Sequence, residues 1–344
     1  MENKMKSIWN QVITQIESII YRFQYILLGI FVLGLIIFPF IGFNQYVVRI
    51  VIMIGVYTML ALGLNILTGC TGLVSLGHAG FFAIGAYTTA LLMIRLHVNF
   101  FLAIIVGVFV TGLCGFLLGL PTLRLTGSYL SIVTLGFGEI VKMIIMNWDS
   151  VTNGTYGVRN IPRPKLFGYE LTLYNKGMYY LMLLLVLLVT VLSVSFMKGK
   201  TGRAFKAVKE DELSARMMGI SVHKVKILAF VISAAITGLA GGYYATLVSY
   251  IDYNSFSFDV SILILSIVIL GGMGTIKGMF FGAAVLIVFP EISRPLMEWR
   301  FVVYGMVLIL MMRFCPRGLL GFRSKKPFYI PDVHKYKQKL VRNR

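Results

Sequence analysis

Apolar runs long enough to cross a bilayer recur along this chain, and that repetition limits the fold more than any single motif. A helix needs about 20 mainly apolar residues to span the hydrocarbon. Runs of that order fall near residues 25–43, 46–67, 98–120, 127–147, 178–197, 225–249 and 260–290. The backbone inside hydrocarbon must satisfy its own hydrogen bonds, which such runs do as helices. The chain is therefore read as an all-α polytopic membrane protein. Charged residues make up 13% and hydrophobic residues 58%, whereas a soluble domain carries roughly a quarter charged. A water-soluble enzyme, a nucleic-acid-binding domain and a disordered scaffold are excluded as readings of the whole chain.

Charge sets the orientation. Lys and Arg number 32 against 13 Asp and Glu, a net of +19; in a membrane protein that excess gathers in cytoplasmic loops and does not mark a nucleic-acid surface. Residues 198–226 hold eight Lys/Arg to three acids, and a tail from Arg313 holds ten to one. Both are expected in the cytoplasm. Alternation backwards from 198–226 puts the polar loop 148–177 outside and the N-terminus inside. Forwards, the tail returns inside only if 260–290, broken by GGMGTIKG at 271–278, forms two helices. A glycine-dense stretch, Gly69 to Gly85, runs into apolar sequence up to Arg95, and a last short run covers about 301–314. The expected total is about ten membrane helices. The organisation is then a cytoplasmic N-terminal segment 1–24, a transmembrane domain 25–315 and a basic cytoplasmic tail 316–344. The first run starts late and has no small-residue cleavage site, so no cleavable signal is expected. Run 178–197, the most uniformly aliphatic, is expected to face lipid. Cys70, Cys114 and Cys315 lie far apart with no CxxC spacing, so packing is expected of them, not a disulfide framework or zinc site.

The segment GRAFKAVKEDELSARMMGIS (202–221) is too short and polar to span. Residues 203–218 contain good helix formers and no Pro or Gly, which predicts one helix. Leu213, Met217 and Ile220, at i, i+4 and i+7, form an apolar stripe, and Gly219 closes the helix as a C-cap. Such a helix either rests on the anionic inner leaflet or docks its apolar anchors into a groove on a cytoplasmic partner. The acidic run Glu210-Asp211-Glu212 suits anionic lipid poorly and favours the protein partner. Phe205, Val208, Leu213, Met217 and Ile220 are the candidate anchors. Lys209 is expected on a charged rim, where its loss costs little.

The same segment resembles the cytoplasmic coupling segment of bacterial branched-chain amino acid ABC permeases. LGLNILTGCTGLVSLGHAGFFAIGAY (62–87), TLRLTGSYLSIVTLGFGEIVKMIIMNW (122–148), GVRNIP (157–162) and LSIVILGGMGTIKGMFFGAAVL (265–286) also look like stretches of that family, in its order. The likeness covers most of the chain and is closest to the M-type subunit, one of two dissimilar permeases in the system. Cys70 departs from it, standing where an aromatic residue is common, and the tail beyond about 322 is not typical of the family. The resemblance implies the permease architecture of an ABC importer, with 198–226 as coupling segment, in a bacterial inner membrane with both termini cytoplasmic. It implies a second, H-type permease, two cytoplasmic ABC ATPases and an extracytoplasmic solute-binding protein as partners, besides membrane lipid. ATP and Mg would then belong to the ATPases, leaving no cofactor and no enzyme activity on this chain. The coupling residues so implied are Gly202, Arg203, Phe205, Val208, Glu212, Leu213, Met217, Gly219 and Ile220. The solute would be a branched-chain or related hydrophobic amino acid, with urea, short amides or another small polar solute as the alternative. The residues agree about ATP. Gly199-Lys200-Thr201 ends like a P-loop, but position 194 is Val and the motif follows a membrane helix instead of a strand.

Polar and ionisable groups within membrane runs are functional candidates, and Asn65, Gly77, His78, Phe81 and Glu139 are the candidates for the substrate path. His78 either bonds a neighbouring helix carbonyl or lines that path, and Asn65 either bonds between helices or touches solute. Glu139 and Lys142, at i and i+3, are expected to pair, and Lys277 to snorkel to the interface. Glycines 69, 72, 77, 80 and 85 let helices approach or break around the path. The histidines (78, 97, 223 and 334) lack metal-ligand spacing, and neither HExxH nor GxSxG occurs, which speaks against an intramembrane enzyme. An ion-coupled secondary transporter would have only Glu139 as its buried carboxylate and no use for the basic segment 198–226. A passive channel would need no ATPase partner.

Overall fold

The computed structural model describes residues 34–40, 42, 44–123, 125, 127–166, 168–292 and the isolated positions 302, 305, 306 and 309. The expected segments 1–24 and 316–344, the last run 301–314 (those isolated positions aside) and most of the first run 25–43 lie outside the described residues. What is described is mostly helical. In chain order come α1 (Gln45–Leu64), α2 (His78–Arg95), α3 (Phe100–Thr122), α4 (Ser128–Asn147), the single turn α5 (Asp149–Thr152), α6 (Gly177–Lys198), α7 (Lys200–Glu210), α8 (Glu212–Met217), α9 (Val222–Val248), α10 (Phe258–Gly271) and α11 (Ile276–Ile292). A π-turn, Asn65–Cys70, prolongs α1. Among the described residues, six stretches are long and apolar enough to cross a membrane: Gln45–Cys70, Phe100–Thr122, Ser128–Asn147, Gly177–Lys198, Val222–Val248 and Tyr253–Gly271.

The interior is organised around α9, which packs along α3 and α2 and against α1. Small residues make that closeness possible. A Cβ at Gly85 of α2 would stand 2.3 Å from the carbonyl oxygen of Gly238 on α9, so only a residue without a side chain lets these backbones meet, as in other membrane helix contacts. The outward sides of α3 and α6 show apolar residues instead, Ile105 and Phe109 on one, Leu184, Leu187 and Val191 on the other. Such surfaces suit hydrocarbon, the lipid-facing role expected for the aliphatic run 178–197.

Two ends of the bundle can be told apart by their contacts. At the loop end, Arg95 donates to the carbonyls of Ser150 and Val151 at 2.6 and 2.7 Å. There β1 (Val158–Arg159) pairs antiparallel with β4 (Tyr250–Ile251), and β2 (Lys165–Leu166) pairs with β3 (Tyr169–Glu170). The other end holds the π-turn, α7, α8 and the break between α10 and α11 at residues 272–275. That break matches the two helices expected over 260–290. The coupling region differs from expectation: one helix over 203–218 is divided at Asp211. The residue takes extended dihedrals (φ −160°, ψ 117°), and its side chain accepts from the Ser214 backbone N–H, so it caps α8 and ends α7. An Asp N-cap satisfies one of the donors a new helix leaves free, which outweighs continued helix propensity.

Candidate functional site

Four of the five candidate path residues are fully buried inside the chain. His78 begins α2, and its Nε2 lies 2.8 Å from Ser233 Oγ on α9. Ser233 has one hydroxyl proton and gives it to the Gly63 carbonyl on α1 at 2.7 Å. Its oxygen must therefore accept from His78 Nε2–H, which leaves Nδ1 to accept the Ser75 hydroxyl at 3.2 Å. The network thus assigns the Nε2–H tautomer. The ring ties α1, α2, α9 and the 71–77 loop together, and both its nitrogens are engaged. Ser233 stands between it and the helix carbonyl that sequence reasoning expected it to bond. Phe81 meets the His78 ring at 5.8 Å and Phe137 of α4 at 5.0 Å. Gly77 sits against α4, where a Cβ would lie 2.1 Å from the Thr134 carbonyl oxygen.

Asn65 opens the π-turn and is buried. Its Oδ1 accepts from the Gly274 N–H at 2.7 Å, and its Nδ2 donates to the Thr275 carbonyl at 3.4 Å. The amide therefore serves the backbone of the α10–α11 break. Glu139 differs from the other four. It is half-buried on α4, the least enclosed of the six spans. The expected ion pair is not there: Glu139 and Lys142 stand on the same helix, both partly exposed, without bonding to each other. Partial exposure lets each be solvated or meet a neighbouring surface alone. The outward face of α4 carries Tyr129, Val133, Ile140 and Met143, with Gly136 open beside them. Among the described residues no group of His, Cys, Asp and Glu could hold a metal ion.

The coupling segment is built from two unlike faces. Phe205 is 1% exposed and belongs to the main hydrophobic core. Val208 (3% exposed) forms a smaller cluster with Ala215 and Val222, against which Ile220 packs. These positions hold the segment to its own bundle, so the reading of Phe205, Val208 and Ile220 as anchors for a partner is corrected. Helical spacing cannot distinguish a chain's own core from a partner's groove. Leu213, Met217 and Met218, by contrast, are 62%, 76% and 83% exposed. They form the apolar end that remains open, and Met218 was not among the expected anchors.

Local devices fix how α8 presents that end. Its start is the Asp211 cap at 2.5 Å to Ser214 N–H, and that backbone donor holds the Asp211 carboxyl below its ordinary pKa. Its finish is a Schellman turn, with Gly219 N–H to Arg216 O and Ile220 N–H to Ala215 O, both 3.0 Å. Gly219 has φ +81° there, a conformation open to glycine at little cost. Glu212 reaches Lys226 of α9 at 2.6 Å, with the Lys226 side chain 3% and the Glu212 side chain 38% exposed. Gly202 is buried against the end of α6, a Cβ there lying 2.1 Å from the Met197 carbonyl oxygen, while Arg203 is exposed. The part of Lys226 was not foreseen: with His223 and Lys224 beside it, it reads in the sequence as one more charge of the basic segment.

Comparison with known proteins bears on this arrangement. The family described as branched-chain amino acid transport system / permease component matches residues 46–312. The high-affinity branched-chain amino acid transport system permease protein LivM of Salmonella typhimurium is 38% identical over 295 residues, 79% of this chain and 69% of that protein. LivM of Escherichia coli K12 is 39% identical over 287 residues, 77% and 68% of the two chains. The LivH permease of S. typhimurium is 24% identical over 305 residues, 82% of this chain and 96% of its own length. No solved structure matches the chain. A family match across the bundle, π-turn and coupling segment, with LivM-type relatives above a third identical, places this chain in the family of permease components of branched-chain amino acid transport systems.

Proposed function

We propose that this permease carries branched-chain or related hydrophobic amino acids inward, as one half of the membrane path of an ATP-driven importer. The solute assignment rests on one observation, the identity to two LivM permeases over more than three quarters of the chain. Likeness to a LivH permease as well favours a path shared by two related but unequal permeases. The end carrying α7 and α8 faces the cytoplasm, as its excess of Lys and Arg directs, and the first and last segments of the chain lie on that side.

Each part then has a task. Leu213, Met217 and Met218 insert into an apolar groove of a cytoplasmic ATPase, with Arg203, Arg216 and Glu210 as a charged rim. ATP binding and hydrolysis on that partner move α8, and the inward face of α7 passes the motion to the bundle. Asn65, Gly77, His78 and Phe81 hold the wall of the path in shape. Glu139 and the open face of α4 meet the second permease or the path itself. An extracytoplasmic binding protein delivers solute at the loop end.

Reconstitution tests this division of labour. Alone in vesicles, the chain should neither hydrolyse ATP nor accumulate leucine. Together with the second permease, ATPases and binding protein it should do both, with hydrolysis stimulated by the liganded binding protein. Uptake by the lone chain driven by an ion gradient would overturn the proposal.

A further inference from the structure

Lys209 is exposed, as expected of a rim residue, and its Nζ also donates to the Gly69 carbonyl at 2.8 Å. Gly69 lies in the π-turn Asn65–Cys70. The first residue of that turn, Asn65, spans the α10–α11 break with both halves of its amide. Buried backbone outside regular helix needs protein groups to satisfy it, and here one buried side chain serves both Gly274 and Thr275. Gly272 and Gly274 have φ +107° and +85°, and Thr275 Oγ1 donates to the Gly272 carbonyl at 2.7 Å. The break is therefore a shaped turn, not a frayed end. Contact is close throughout: a Cβ at Gly69 would lie 2.1 Å from Asn65 Oδ1 and 2.5 Å from Gly274 N.

We infer that Lys209 and Asn65 are positioning residues that join the coupling segment, through the π-turn, to the α10–α11 break, making that break the element the ATPase stroke moves. The inference rests on the reading of α7–α8 as the ATPase-docking element. A cation on a carbonyl near a helix C-terminus suits both the helix dipole and a charge-assisted hydrogen bond, so α7 and the π-turn move together. A π-turn contains one residue more than α-register, and one residue of register is about 100° of rotation about the helix axis. Conversion of the turn to α-register turns the Asn65 amide away from the break and frees residues 272–275. π-Turns recur at functional positions within helices.

The test uses the assembled transporter in proteoliposomes, with ATPases and binding protein, and reads three quantities: ATPase retained on the permease, ATP hydrolysed, and solute accumulated per ATP. Lys209→Met should retain the ATPase and still hydrolyse ATP, while solute moved per ATP falls about tenfold; Lys209→Arg should restore it to within about twofold. Asn65→Ser should fall likewise, and the double variant should be no worse than the poorer single one, as for residues acting in one chain of contacts. Normal transport per ATP in Lys209→Met would overturn the inference. So would a fall that tracks lost ATPase, since Lys209 would then belong to the docking surface. If Leu213→Asp retains a coupled ATPase, the docking reading itself fails, and that result is read independently of the Lys209 variants.

Discussion

The two water-facing ends of this bundle are both polar in sequence and both short of regular helix, but they present different chemistry. At the loop end, left-handed positions at Asn153, Gly154, Gly157 and Asn160 and the β1–β4 pairing fold the chain back on itself. Its exposed large side chains are mostly aromatic, Trp148, Tyr156, Tyr169, Tyr174 and Tyr250, with Leu96 the aliphatic exception. Amphipathic rings of that kind sit well at a membrane–water boundary. On residues 212–218 at the coupling end the exposed large side chains are Leu213, Met217 and Met218, which gain nothing from water. Beneath them are inward anchors and lysine ties to α1 and α9. Polar sequence alone does not tell a boundary from a docking surface; what is exposed, and what holds it in place, does.

That contrast predicts a graded set of effects. The largest belongs to Leu213→Asp or Met217→Asp, which puts an unpaired charge into an apolar groove at a cost of several kcal/mol. Since 1.4 kcal/mol is tenfold in affinity, ATPase retention should fall well over tenfold in pull-downs while the permease inserts normally. Phe205→Ala comes next: it removes a buried ring and should lower stability by about 3 kcal/mol, read as earlier thermal unfolding of the purified permease. Leu213→Ala should leave that unfolding unchanged.

Glu212→Gln removes the partner of a buried lysine. The cost should be about 2 kcal/mol, below the 3–5 of a fully buried pair, because the Glu212 side chain is 38% exposed. Asp211 adds a pH effect. Its folded pKa lies below the ordinary value, so its contribution to α8 is present above the unfolded pKa and is lost as pH falls through the folded one. Hydrogen exchange at the Ser214 amide should quicken over that acidic window, and Asp211→Asn should abolish the pH dependence. The smallest effect is expected at the loop end. Lys165→Ala removes an ion pair whose side chains are 59% and 55% exposed, and stability should change by no more than about 1 kcal/mol.

Much of the bundle was legible in the sequence because hydrocarbon leaves the backbone little choice. The runs read at 98–120, 127–147 and 178–197 became Phe100–Thr122, Ser128–Asn147 and Gly177–Lys198, and GGMGTIKG correctly divided the run over 260–290. The coupling segment was harder, for two physical reasons. Asp211 lies amid helix formers, and its extended backbone and side-chain bond to the Ser214 backbone N–H, which mark the start of a second helix, carry no pattern in the sequence. The candidate anchors Phe205, Val208, Leu213, Met217 and Ile220 mix residues that face the bundle with residues that face away, and periodicity assigns no destination to an apolar side chain. The partners of Asn65 and Lys209 were not legible because Gly274 and Gly69 offer backbone atoms distant in sequence.

Cysteine accessibility on either side of assembly tests most directly whether α8 is the docking surface. In a background with Cys70, Cys114 and Cys315 replaced, single cysteines at positions 205, 213 and 217 are exposed to a membrane-impermeant thiol reagent from the cytoplasmic side. Positions 213 and 217 should label rapidly in the permease alone and become protected when the ATPases are bound, while 205 stays unlabelled throughout. Equal labelling of 213 and 217 with and without bound ATPases would show that the partner sits elsewhere and that the apolar end of α8 rests on lipid.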